Sequence, residues 1–286
     1  METKFKNIKN AGVLGILGNI FLFIIKGFIG FMSHSQSMIA DAFNSASDIL
    51  ASLMTFIGNK IASEPEDHNH NFGHGKAEYI FSLFISITML IVAIKLFIDS
   101  FISLISQSTF MFSWILVIVC IITILTKLAL YLYTKSLYKK YTSILLKSAY
   151  QDHRNDCIVT TFTLISIIFG KFGIFYLDGI IGIGISLWIF ISGFSIFMES
   201  YNVLMDMSLD ENTKTFILNL VAEHDNIKNV SNLYAVPTGY HYVVILTISV
   251  DGNMSTFDSH GLADHLEKDI ENLEKIKKAI IHVNPI

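Results

Sequence analysis

Gln151-Asp152-His153-Arg154-Asn155-Asp156 stands at the head of a long apolar run, Cys157 to Gly170. Two carboxylates four residues apart share one face of a helix. Asp152 and Asp156 therefore point the same way, at the depth of a bilayer. An ionisable side chain there is costly, and by default it marks a functional site.

The rest of the chain supplies the bilayer. Of 286 residues, 52% are hydrophobic and only 15% charged, a composition foreign to soluble domains. Six apolar segments, roughly 9–31, 36–59, 78–99, 112–134, 146–170 and 174–199, each approach the ~20 residues that a hydrocarbon core requires. Lysines gather before the first segment (Lys4, Lys6, Lys9), in the second loop (Lys60, Lys76) and in the fourth (Lys135, Lys139, Lys140, Lys147). By the positive-inside rule, both termini are cytoplasmic. The first segment lacks a small-residue cleavage site and reads as a retained helix. Cys120 and Cys157 lie inside apolar runs, so no disulfide framework is expected. Nineteen lysines against one arginine point to a bacterial source.

The second segment carries its own polar face, Asp41, Asn44 and Asp48, with Asn44 and Asp48 again four apart. At ~1.5 Å per residue, Asn44 and Asp48 lie roughly 12–18 Å below the outer surface and Asp152 and Asp156 roughly 15–21 Å below it. The two pairs meet near the midplane and offer four oxygen donors. Polar contacts between helices would account for Asn44 alone. They account poorly for several like charges, which a divalent cation or protons would neutralise.

The loop Glu64 to Glu78 holds three of the ten histidines. Asp67, His70 and His74 have spacing that suits a shallow cation site; equally, His74-Gly75-Lys76 suits a turn into the third helix. After Glu199 the pattern changes. Thr213 to His224 and Thr256 to Leu273 read as helices, and Val230 to Val236, Tyr240 to Val250 and Ala279 to Val283 as strands. The α-β-β-α-β order makes a small α+β domain. Residues 1–206 are read as a six-helix membrane domain and 207–286 as a cytoplasmic domain. The first part balances to +1 and the second to −5, which leaves no basic patch for nucleic acid.

These residues resemble the cation diffusion facilitator family over nearly the whole chain. The resemblance rests on Ala40 to Asp48, on Phe72-Gly73-His74-Gly75-Lys76-Ala77-Glu78, on Ala149 to Asp156 and on Ile281-His282-Val283-Asn284-Pro285. It implies a multi-pass exporter in the bacterial plasma membrane with six transmembrane helices, followed by a cytoplasmic ferredoxin-like domain. It also implies a homodimer in membrane lipid, driven by proton antiport. The transport ligands it implies are Asn44, Asp48, Asp152 and Asp156. Zinc-preferring members place His at the position of Asn44 or Asp152. The set found here looks like that of manganese exporters, and oxygen donors suit hard ions while imidazole suits zinc. Mn²⁺ is the expected cargo, with Zn²⁺, Fe²⁺ and Co²⁺ as competitors. His153 is about 100° round the helix from Asp152 and is read as packing or as support for the ligands. Arg154 is read as partner to a neighbouring carboxylate or to a lipid headgroup.

The resemblance also matches Asp67, His70 and His74 to a loop metal site, and Lys76 and Asp206 to a structural pair. In the cytoplasmic domain, Ser231, Thr247 and Asn284 replace the ligands of a binuclear site, leaving His260 and His282 as its remnant. No enzyme is read here, because neither His-Glu-x-x-His nor Gly-x-Ser-x-Gly occurs. The alternatives are an Fe²⁺ or Zn²⁺ exporter of the same family and a non-transporting partner in a heterodimer.

Overall fold

The computed structural model describes residues 2–32, 36–106, 113–170 and 176–286. Six long helices come first: α1 (Glu2–Met32), α2 (Gln36–Ala62), α3 (Ala77–Ser106), α4 (Trp114–Tyr141), α5 (Ile144–Gly170) and α6 (Tyr176–Leu204). Then follow α7 (Glu211–Ala222), β1 (Asn229–Pro237), β2 (Tyr242–Val250), α8 (Thr256–Glu271) and β3 (Ile276–Pro285). Two compact units divide the chain. One comprises Met1–Ser63 and Ala77–Ser200, the other Glu64–Lys76 and Tyr201–Ile286.

The long helices extend past the apolar windows because helical hydrogen bonding continues where the side chains turn polar. α4 carries on through Lys135, Lys139 and Lys140 to Tyr141. Among the described residues, four stretches are long and apolar enough to cross a membrane: Thr3–Ile29, Ala77–Ile102, Trp114–Tyr141 and Gly182–Leu204. α2 and α5 have 27 residues each but carry the polar positions singled out above. Their composition is that of helices packed inside a bundle, whose polar faces avoid lipid.

Two local features set the geometry of the first unit. α1 lies close against α2 because Gly12 and Gly15 have no side chain. A Cβ at Gly15 would come within 2.7 Å of Ser52 Oγ, and one at Gly12 within 3.0 Å of Phe56 Cβ. One turn further on, buried Asn19 donates from Nδ2 to Ser52 Oγ and to the Asp48 carbonyl, both at 3.1 Å. On the other side, α4 ends at Thr142, whose backbone is left-handed (φ 46°) and whose N–H reaches the Tyr138 carbonyl. The chain reverses there and α5 begins two residues later, which makes α4 and α5 a tight helical hairpin. Buried Leu145 packs with Ile85, Met89 and Ile196, and Leu146 with Ile8 and Ala11. Ser143 donates to Glu78 Oε2 at 3.0 Å, and Lys4 pairs with Glu78 Oε1 at 3.2 Å.

In the second unit, β2 is the central strand, antiparallel to β1 and parallel to β3. The parallel pair needs a crossover, and α8 supplies it. Leu246 and Ile248 of β2 are buried with Ile217 of α7 and Leu266 and Ile270 of α8. Both helices start on side-chain caps. Asp210 accepts from Thr213 N, and Ser255 accepts from Asp258 N while its hydroxyl donates to Asp258 Oδ2.

Gly15→Val is expected to wedge α1 off α2 and lower the melting temperature in detergent by several degrees. An unchanged melting temperature would refute the close approach.

Candidate metal centre

The two polar helices and the α4–α5 hairpin converge on one cluster. Asp48 of α2 and Asp156 of α5 both face the same nitrogen. Lys127 Nζ donates to Asp48 Oδ2 at 2.7 Å and to Asp156 Oδ2 at 2.5 Å. The Lys127 side chain is 1% exposed. Asp152, one turn before Asp156, lies within electrostatic reach of Lys127, Asp156 and Asp48. Asp152, His153 and Asp156 each offer a ligand atom, and these atoms lie within 4.8 Å of one another. Asn44 lies on α2 one turn before Asp48; its side chain, like that of Asp41, lies outside the described residues.

Lys127 was missed in the sequence because it sits inside the apolar segment 112–134, which was read only as a membrane span. The rule that singled out Asp152 applies equally to a lysine at membrane depth, so the signal was present. Nothing in the sequence says that α4 turns that face to α2 and α5.

The neighbours of the cluster are polar and buried. His153 is 2% exposed, and its Nδ1 has no hydrogen-bond partner. Its ring lies by Gly15, so the absence of a side chain on α1 makes room for it. A small cavity beside it is lined by Gly12, Ser52, Thr55, Ala149, Asp152 and His153. Among the described residues the Arg154 guanidinium pairs with no carboxylate; it stacks on Trp188 at 4.3 Å and donates to Ser192 Oγ and to Asn155 Oδ1. An aromatic face and a hydroxyl on α6 satisfy a cation without removing a carboxylate from the cluster.

The loop between α2 and α3 forms a second group. His70 Nδ1 is 3.1 Å from Asp67 Oδ1, His74 Nε2 is 3.5 Å from Asp67 Oδ2, and the two rings lie 4.4 Å apart. The three ligand atoms fall within 4.8 Å of one another. The turn itself builds this arrangement. The backbone amides of His70 and Asn69 donate to Asp67 Oδ1 at 2.6 and 2.9 Å, and Gly73 takes a left-handed φ of 78°. Those amides hold the Asp67 carboxyl below its ordinary range, the His70 N–H most strongly. His74 Nδ1 meets the Pro65 carbonyl at 3.2 Å, which leaves Nε2 for the ligand side. Lys277 of β3 pairs with Glu66 and donates to the Phe72 carbonyl. The loop thus contains a turn at Asp67 to Gly73 and, on it, three side chains that could hold a metal ion.

Lys76 Nζ donates to Asp206 Oδ1 at 2.7 Å within one chain, and Asp206 holds a left-handed φ of 57°. His260 is exposed and 3.7 Å from Asp264. His282 lies opposite Thr247 in the β2–β3 register. Neither joins a group of three ligands among the described residues, so the structure does not assemble a metal site from them.

Comparison with known proteins shows the family of the chain. The family described as the cation efflux transmembrane domain matches residues 12–205, and the cytoplasmic domain of cation efflux proteins matches residues 209–286. The chain belongs to the cation efflux family, the cation diffusion facilitators, and is a multi-pass membrane protein that exports cations. An uncharacterized transporter of Methanocaldococcus jannaschii is 30% identical, over 98% of this chain and 99% of that protein. The manganese efflux system protein MneP of Bacillus subtilis is 24% identical over 97% and 96%. MneS of the same organism is 27% identical over 99% and 97%.

A carboxyl held below its ordinary value stabilises its turn at every pH above that of free aspartate. The contribution fades only as pH falls through the lowered folded value. An NMR titration of Asp67 is expected to give a midpoint below the free value of about 3.9; a midpoint at or above it would refute the amide contacts.

Proposed function

We propose that the protein exports Mn²⁺ from the cytoplasm in exchange for protons, as a homodimer in a bacterial plasma membrane. All six long helices span the bilayer in this reading, and both termini lie inside. Residues 1–206 carry the ion; residues 207–286 dimerise and regulate. The observation that carries the reading is the convergence of Asp48, Asp152 and Asp156 at the meeting of α2, α4 and α5. Asn44, one turn from Asp48, is the fourth ligand. The set is dominated by hard oxygen donors, which accept Mn²⁺ without the imidazole that favours zinc. The likeness to two manganese efflux proteins over nearly their full length supports the same ion.

The ion enters beside Asp152, along the cavity against α1, and helix rocking then turns the cluster outward. With no imidazole among Asn44, Asp48, Asp152 and Asp156, protons travel on the carboxylates. Asp67, His70 and His74 form a second, shallow site that senses cytoplasmic metal. Lys76 and Asp206 brace the chain where the loop and the end of α6 meet within the second unit.

Zinc export is the second reading, and one observation favours it: a ring nitrogen of His153 lies within the group formed with Asp152 and Asp156. Uptake into inverted vesicles with competing Mn²⁺, Zn²⁺, Fe²⁺ and Co²⁺ separates the two. The manganese reading expects Mn²⁺ flux to survive equimolar Zn²⁺ and Asp152→His to shift preference toward Zn²⁺. An unchanged Mn²⁺-over-Zn²⁺ preference in Asp152→His would refute the ligand argument.

Asp156→Ala is expected to reduce flux to the level of empty vesicles. Wild-type flux in that variant would place the site elsewhere. Flux in vesicles containing this chain alone would exclude a non-transporting subunit.

A further inference from the structure

We infer that Lys127 is a tethered competitor of the transported ion: its ammonium and the cargo take turns on the same two carboxylates, and removing it traps the ion. The inference rests on the transport site described above and adds to it a residue that sets how readily the ion leaves.

Lys127 Nζ contacts Oδ2 of Asp48 and Oδ2 of Asp156, one on α2 and one on α5. A divalent ion bound by both helices needs those carboxylates. An ammonium at hydrogen-bond distance and a dication in direct coordination cannot both sit on them without cation–cation repulsion at close range. The ion must displace the lysine, and the lysine must return as the ion departs.

The lysine suits such an exchange. Its charge is a compact point on a flexible four-carbon stem, so the head can move while α4 stays in place. The stem leans toward the N-terminal turn of its own helix. On that turn, four residues earlier, lies Thr123, whose buried hydroxyl has no hydrogen-bond partner. It offers the displaced ammonium an acceptor inside the bundle.

The exchange also keeps the carboxylates from standing uncompensated through a cycle. Asp48, Asp152 and Asp156 would carry three negative charges together in the bundle interior. With the lysine on them the cluster is offset by one positive charge, and with the ion by two. Without Lys127, nothing on α4 fills in when the ion leaves, and the ion is held more tightly.

The test measures equilibrium binding of Mn²⁺ and its release rate on the full chain in lipid nanodiscs, alongside efflux in vesicles. Lys127→Met and Lys127→Gln are expected to bind Mn²⁺ at least tenfold more tightly than wild type. They should also release it more slowly and turn over less at saturating Mn²⁺. Lys127→Arg, which keeps a positive charge, should stay within a few-fold of wild-type affinity. Equal or weaker binding in folded Lys127→Met or Lys127→Gln would overturn the inference, since a lysine that merely props the helices apart does not compete with the ion.

If neither neutral variant folds, the wild type decides. With ¹⁵N-labelled lysine, the Lys127 Nζ signal, assigned by its loss in Lys127→Arg, should shift when Zn²⁺ is added as a diamagnetic probe. A signal unmoved at saturating Zn²⁺ would overturn the proposal. Asp156→Ala separates the two levels of argument. Undiminished Mn²⁺ binding there would sink the transport site itself. Loss of binding there, with wild-type affinity in Lys127→Met, would sink only the role of the lysine.

Discussion

Like charges held together away from water are the constraint on which the first unit depends. Ligand oxygens of Asp152 and Asp156 lie within 4.8 Å, and at an effective dielectric of about 20 two such charges repel by roughly 3–4 kcal/mol. Asp48 adds a third carboxylate. Desolvation adds to the cost, and it can exceed what an ion pair returns. Lys127 offsets part of it by pairing with Asp48 and Asp156 simultaneously. A cluster maintained at that cost is poorly explained by stability alone, since apolar side chains of similar volume would hold a bundle at least as well. In the proposed function, a transported dication supplies the missing reason.

The surrounding helices follow from the same requirement. α2 and α5 cannot face lipid along their polar sides, so they pack inward, and α1, α3 and α4 supply the surfaces that cover them. Gly12 and Gly15 let α1 approach near enough for Asn19 to hold the backbone of α2 at Asp48. Thr142 folds α5 back along α4, which brings Lys127 and Asp156 within reach of each other. Each of these features is small and local. Together they decide whether the carboxylates converge or point into separate helical interfaces.

The loop that follows α2 obeys different physics. It belongs with the second unit, where Gly75 lies so close to the Thr238–Gly239 turn that a Cβ would come within 2.6 Å of the Thr238 carbonyl. Lys277 and Glu66 add an ion pair between loop and β3. Asp67, His70 and His74 are therefore presented by the same unit that holds the three-stranded sheet. Water screens this site, and its carboxylate is set by backbone amides. In the buried cluster of the first unit, Lys127 instead pairs directly with two of the carboxylates.

Hydropathy, charge spacing and helix periodicity sufficed to read the long helices, the α-β-β-α-β order and the shared face of Asp152 and Asp156. These are short-range properties: which residues share a helix face follows from 3.6 residues per turn. The same reasoning placed His153 on a different face from Asp152, yet a side chain that swings through several ångströms brings its ring near both aspartates. The aromatic ring on which Arg154 stacks was not legible, because Trp188 lies 34 residues away on another helix. Lys127 shows the limit most plainly. Its position in an apolar run was legible, but its role depends on the rotation of α4 against α2 and α5. That rotation is set by the packing of the whole bundle, so the sequence determined the acids and only the tertiary structure decided which cation meets them.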